Sequence, residues 1–269
     1  PPRSTLFPYT TLFRSDEGNL DALDALIRIH EAREEWDDLL EVMERKAPLV
    51  PQDEIAIRMR MGTILESRVQ SVDRAIQTYE AVLSLEPTHA EALDRLKELY
   101  GGKEDWRGLA DVYERQLGLS NEVPDRILFC NHLAILYEQA LDDKRRALDY
   151  WMQVLDLDRD DEHAFETGVR LLTEMEDWNE LVNLFENRIA AASDADAKTV
   201  ALKRLALVHE ERLEDVNSAI STYQRILEVA PEHVPAYQEL VRLFERIESY
   251  EDVVRSEEHT SELQSRQSI

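Results

Sequence analysis

The chain repeats itself with a period of about 72 residues, and that period limits its fold more than any other feature. The stretches AIQTYEAVLSLEP, ALDYWMQVLDLDR and AISTYQRILEVAP begin at Ala75, Ala147 and Ala219. A second series, Ala92-Leu93, Ala164-Phe165 and Ala236-Tyr237, keeps the same interval, and Ala22-Leu23 precedes its first member by almost as much. Fourteen residues after each of these four alanines stands an aromatic: Trp36, Trp106, Trp178 and Tyr250. Self-similarity on this scale marks an array in which one supersecondary unit recurs.

The unit is helical. Apolar residues run at helical spacing through Ala92, Leu93, Leu96, Leu99 and Tyr100, then through Trp106, Leu109, Val112 and Tyr113. Seven glycines and 9 prolines in 269 residues leave little turn material for an all-β fold. Thr88 with Glu91, and Ser249 with Asp252, have the spacing of a capping box, and Asp177 with Glu180 places acid where the helix dipole favours it. Pro87 and Pro231 close the helices before them, because proline lacks a donor and disfavours helix in the preceding residue. Gly101-Gly102 is expected to form a helix-to-helix turn in which glycine supplies a positive φ. Helical hairpins are predicted at about 20–49, 54–86, 88–118, 125–158, 160–191 and 196–229, with a partial one at 232–254.

One such hairpin cannot bury its own apolar faces, whereas stacked hairpins share a continuous core, so the predicted fold is an all-α solenoid. Small residues are expected to let helices approach and large ones to fill the space one turn later. Ala75, Ala147 and Ala219 pair in this way with Tyr79, Trp151 and Tyr223. Ala92, Ala164 and Ala236 with Tyr100, Tyr113 and the tryptophans Trp36, Trp106 and Trp178 complete the expected packing set.

The even-numbered hairpins resemble the tetratricopeptide repeat. Met61, Gly62, Ala75, Tyr79 and Pro87 fit one copy of its motif. Leu133, Ala134, Tyr137, Ala147 and Trp151 fit the next, and Leu205, Ala206, His209, Ala219, Tyr223 and Pro231 the third. Two departures stand out: the turn before the alanine is one residue longer than the standard motif, and Arg159 replaces the final proline of the middle copy. The odd-numbered hairpins are more divergent, with Leu109 where alanine is expected and the added tryptophan. The resemblance covers about Asn19 to Val254 and implies a right-handed superhelical solenoid of about 6.5 antiparallel hairpins.

Chemistry is sparse. No glycine-rich phosphate loop, paired cysteines or nucleophile motif is present, so no catalytic residue, metal ligand or cofactor is assigned. His209-Glu210-Glu211 lacks the second histidine of the zinc helix motif, since Leu213 stands at that position. DLDRDDEH, from Asp156 to His163, lacks the central glycine and terminal acid of a calcium loop and reads as a solvated turn. His89 and His233 sit beside their helix caps and read as inter-repeat or surface residues. Cys130 lies in the apolar run ILFCNHLAIL and reads as a core residue. The formal charge of -26, from 57 acidic and 31 basic residues, argues against direct nucleic-acid binding, and no apolar run is long enough to span a bilayer.

What remains is surface, and other proteins or peptides are the expected partners. The resemblance implies a concave groove lined by the first helix of each hairpin. Its matching positions here are Arg60, Glu66, Asn131, His132 and Glu138, then Lys203, Arg204, Glu210 and Glu211. Arg28, Arg95, Arg170 and Arg242 join them from the divergent hairpins. Such a wall could receive an acidic peptide through forked hydrogen bonds. Ordinary solvated charges or inter-repeat ion pairs are the preferred expectation, because the family's lysine and asparagine clamp is not reproduced.

The two tails stand apart from the repeat. STLFPYTTLFRS, from Ser4 to Ser15, reads as a direct translation of one sequencing-library adapter, and RSEEHTSELQS, from Arg255 to Ser265, as that of the adapter ligated at the opposite end. Residues 1–15 and 255–269 are therefore expected to be artefactual, and 16–254 to be a fragment truncated at both ends. Without the tails, which carry four basic and three acidic residues, the charge is -27, so the acidity is native. The reading is a non-enzymatic interaction scaffold. The alternatives are the regulatory arm of an enzyme whose catalytic domain is missing, and an RNA-processing scaffold of half-repeat type. The last is disfavoured because the repeating tryptophans start second helices instead of populating first ones.

Overall fold

The computed structural model describes residues 19–248, and all of them fall in helices or the short turns between helices. Both predicted adapter segments lie outside these residues, as do Ser249, Tyr250 and Asp252. The chain divides into two compact units, Pro1–Asp142 and Asp143–Ile269. No helix among the described residues is long and apolar enough to cross a membrane.

In the N-terminal unit, α1 is Leu20–Ala32, α2 Trp36–Lys46, α3 Glu54–Ile64, α4 Val72–Leu85, α5 Ala90–Gly102, α6 Trp106–Leu119 and α7 Val123–Gln139. Each packs on the next. A 3-10 turn, Ala47–Leu49, follows α2, and a π turn, Leu65–Val69, extends α3. In the C-terminal unit, α8 is Lys144–Leu157, α9 Glu162–Glu174, α10 Trp178–Ala191, α11 Ala195–Glu211 and α12 Val216–Val229. A further helix, α13, occupies 234–248. In the repeat register α1, α3, α5, α7, α9, α11 and α13 are first helices, and the others are second helices.

Capping explains where most helices begin. Asn19, Asp105, Asp143, Asp161, Asp177, Asp194 and Asp215 each accept a hydrogen bond from a backbone N–H three residues on. The sequence reading of Thr88 as a cap is corrected: His89 caps α5, its Nδ1 accepting from the Ala92 N–H at 3.2 Å, and His233 does the same for Ala236 at 3.1 Å. Glu86, before Pro87, is extended and stops α4 at Leu85.

The turns inside hairpins overturn the glycine expectation. Gly101 and Gly102 lie within α5, and among the described residues no glycine has positive φ. The left-handed residue is instead Glu34, Gln70, Glu104, Asp142, Glu176 or Glu214, one per turn, with φ of 52 to 56°. In the odd hairpins the next residue closes the loop. The N–H of Glu35, Asp105 and Asp177 donates to the carbonyl of His30, Tyr100 and Leu172 at 2.9 to 3.0 Å, a Schellman closure. The extra residue of the even hairpins widens that closure by one: Ser71 N–H reaches Leu65 and Asp215 N–H reaches His209.

The core follows the repeat. Ala75, Ala92, Ala134, Ala147, Ala164, Ala206, Ala219 and Ala236 are buried, as are Tyr79, Tyr137, Trp151 and Tyr223. Trp36, Trp106, Trp178, Tyr100 and Tyr113 are half-buried. A Cβ on Gly62 would lie 2.4 Å from the Tyr79 ring, so a larger residue there would force that ring to shift. The equivalent positions one and two periods on hold Ala134 and Ala206. Burial raises the Tyr79 hydroxyl's pKa, and its hydrogen bond to Glu66 adds to the shift. Cys130 is buried and its thiol is raised by desolvation.

Candidate binding face

First helices in both units are linked by ion pairs to the first helix before them. Arg60 on α3 pairs with Glu31 on α1. Arg204 on α11 forks onto Glu166 on α9, and Arg242 on α13 forks onto Glu210 on α11 at 2.8 and 2.6 Å. Second helices carry a parallel ladder: Arg74–Asp37 at 2.9 Å, Arg115–Glu80 at 2.6 Å, Arg145–Glu180 at 2.6 Å and Arg225–Glu186 at 2.6 Å. The spacing of each rung, 29 to 39 residues, is about one hairpin.

Most rungs are exposed and contribute little singly. Glu210 differs, because its side chain is only 8 % exposed and both Arg242 and Arg246 reach it. The hydrogen bonds from Arg242 lower the Glu210 carboxyl below its ordinary range, and Arg225 does the same to Glu186. Arg204 also lies over the rings of Phe165 and Phe185, which meet edge-on at 5.7 Å.

The remaining residues expected in the groove are scattered in role. Glu66 accepts from Tyr79, and Arg95 pairs with Glu98 on its own helix. Arg170 likewise pairs with Glu174. His132 stacks flat on Tyr113 with ring centroids 4.9 Å apart. Asn131 Oδ1 is buried with no hydrogen-bond partner among the described residues. Glu138 is half-buried near the end of α7, while Arg28, Lys203 and Glu211 are exposed. Of the arginines expected on this wall, Arg60, Arg204 and Arg242 therefore face carboxylates of neighbouring hairpins, while Arg95 and Arg170 pair within their own helices.

The sequence reading picked out charges and passed over apolar residues on the same helices. Leu128 and Ile135 on α7 are 49 % and 41 % exposed, and Val200 and Leu207 on α11 are 60 % and 38 % exposed. Each pair lies two helical turns apart on one helix, and the second pair follows the first by one full period of the sequence. His132 stands between the first pair, and Lys203 and Arg204 between the second. The repeat period itself carried the signal.

At the α1–α2 turn, His30, Glu35 and Asp38 offer three ligand atoms within 4.8 Å of one another. His30 Nδ1 lies 2.7 Å from Glu35 Oε2, a contact that closes the turn. His209, its Nδ1 buried, is held towards the neutral form by desolvation.

No family model and no curated protein matches the chain. Among solved structures it is similar to YrrB, described as a TPR protein with an unusual peptide-binding site, at 18% identity over 71% of this chain and 94% of that one, with a TM-score of 0.33. It is similar to a chain of the Naa15/Naa10 complex bound to HypK-THB at 16% identity and a TM-score of 0.44, over 89% of this chain but only 36% of that one. It is also similar to a tetratricopeptide repeat protein from Parabacteroides merdae, at 14% identity over 83% of this chain and 97% of that one, with a TM-score of 0.34.

Proposed function

We propose that this chain is a non-enzymatic interaction scaffold that holds a peptide segment of another protein against its first helices. The observation that carries the reading is the repeated exposure of Leu128 with Ile135 and of Val200 with Leu207. These side chains recur at the repeat interval yet stay out of the core, where an apolar residue would gain most by burial. Arg204, between the second pair, and Arg242, on the next first helix, are engaged with neighbouring acids, so they hold the wall's shape and rim, and the apolar pairs supply the contact.

A peptide library displayed on phage and selected against the purified chain tests this. Selected peptides are expected to carry apolar residues and to lose at least about tenfold in affinity for the double variant Val200→Asp/Leu207→Asp, whose sites are exposed and whose melting temperature should be unchanged. Equal binding to variant and wild type would sink the reading.

A further inference from the structure

The second-helix side of each unit carries an indentation at the same place in the repeat. In the N-terminal unit, seven residues line it between α4 and α6, among them Glu80, Leu83, Pro87, Arg115 and Gly118. In the C-terminal unit the equivalents of all seven, one period on, line a cleft between α8 and α10. The two differ in what crosses them. Glu80 and Arg115 form a ladder rung at 2.6 Å across the first, whereas Met152 and Asn187 stand at those positions in the second. The rung does not close the first, which holds about 410 Å³; the second is a smaller cleft of about 190 Å³ with Met152, Leu155, Phe165, Leu184 and Ala190 along its walls. That is below the size of a pocket for a whole small-molecule ligand and fits a single large side chain.

The rim sets the charge of what enters. Asp156 and two arginines, Arg159 and Arg188, line it, and the turn that carries Arg159 adds Asp158, Asp160, Asp161 and Glu162, with the Asp160 and Glu162 side chains 90% and 65% exposed. Of the two arginines, Arg188 is already engaged. It pairs with Glu162, lies 3.8 Å from Asp160, donates to the Arg159 carbonyl at 2.8 Å and covers the Phe165 ring. Asp161 caps the start of α9, which leaves no open cap for an anion. Even with both arginines counted, the five carboxylates of residues 156–162 outnumber them, in a chain whose charge is already -26.

We propose that this cleft is a docking site for a partner segment that inserts one aromatic or large aliphatic side chain flanked by lysine or arginine. The acidic rim steers and orients the flanking cations, and the apolar walls take the anchor. The site is separate from the first-helix wall.

The probe is a fluorescein-labelled peptide, Gly-Lys-Arg-Phe-Arg-Lys-Gly, followed by fluorescence anisotropy against the full chain. Its affinity should fall by about thirtyfold when phenylalanine becomes alanine, and should weaken as salt is raised. Met152→Glu/Asn187→Arg, which restores the rung found one period earlier, should abolish binding while circular dichroism and melting stay as in wild type. Ala190→Arg, at an exposed helix position, fills the cleft independently should the first variant fold poorly, and must also abolish binding. Lys203→Glu, on the first-helix wall, should leave binding unchanged, so this site and the wall fail separately. Equal affinity for the alanine peptide, preference for a peptide with glutamate in place of the basic residues, or unchanged binding by either cleft variant would overturn the proposal.

Discussion

At the scale of single residues, the left-handed turn positions are the least expected feature. Glu34, Glu104 and Glu176 adopt φ of 56° without being glycine, a conformation that crowds Cβ and costs roughly 1 kcal/mol. Replacing Glu176 by glycine removes that crowding but frees the unfolded chain. The net expectation is a gain of about 0.5 kcal/mol and a higher melting temperature. A lower melting temperature for Glu176→Gly would show that its side chain, and not only its backbone, stabilises the turn. Sequence reading placed the turn at Gly101-Gly102 because glycine is the usual left-handed residue. The conformation is set instead by the closure one residue later, where Asp105 N–H reaches Tyr100. The legible sign was the recurring pair of acids before each tryptophan.

At the scale of helices, the ion-pair ladders couple neighbouring hairpins within each unit. Glu186 and Glu210 have folded pKa values lowered by Arg225 and Arg242. A lowered folded value means that the unfolded chain binds protons first as pH falls. Their contribution is complete above the ordinary glutamate value of 4.5 and is lost as the pH drops below it towards the lowered folded values. Thermal melts between pH 7 and 3 should therefore show a drop in stability below about pH 4.5 that is shallower in Glu210→Gln, whose own melting temperature at pH 7 is already reduced. An identical pH profile for variant and wild type would remove Glu210 from this account. The ladders were half legible: arginines on first helices stood out in the sequence. Their acidic partners, about a hairpin away, were hidden among so many carboxylates.

At the scale of the whole molecule, the repeat made the all-helical fold readable, because a recurring helical unit is what gives two alanine series and a set of aromatics one shared period. The division at Asp142 and Asp143 was not readable. It falls between α7 and α8, inside what the period marks as one hairpin, and the spacing of alanines runs through it without interruption. Reading the tails as adapter sequence leads to a plain expectation. A chain of residues 16–254 should keep its helicity per residue in 19–248 and its cooperative melt by circular dichroism. Loss of cooperativity on removing 1–15 and 255–269 would mean that the tails contribute to folding.

The turn residues also define where the array can be cut and rejoined. Gln70, Asp142 and Glu214 sit one period apart, share one backbone conformation, and are each followed by the residue that precedes the next helix: Ser71, Asp143 and Asp215. A gene segment encoding Asp143 to Glu214 thus begins and ends at matching geometry. Concatenated head to tail, it reproduces at every junction the local turn already present at Asp142, so the array can lengthen by duplication with no new linker.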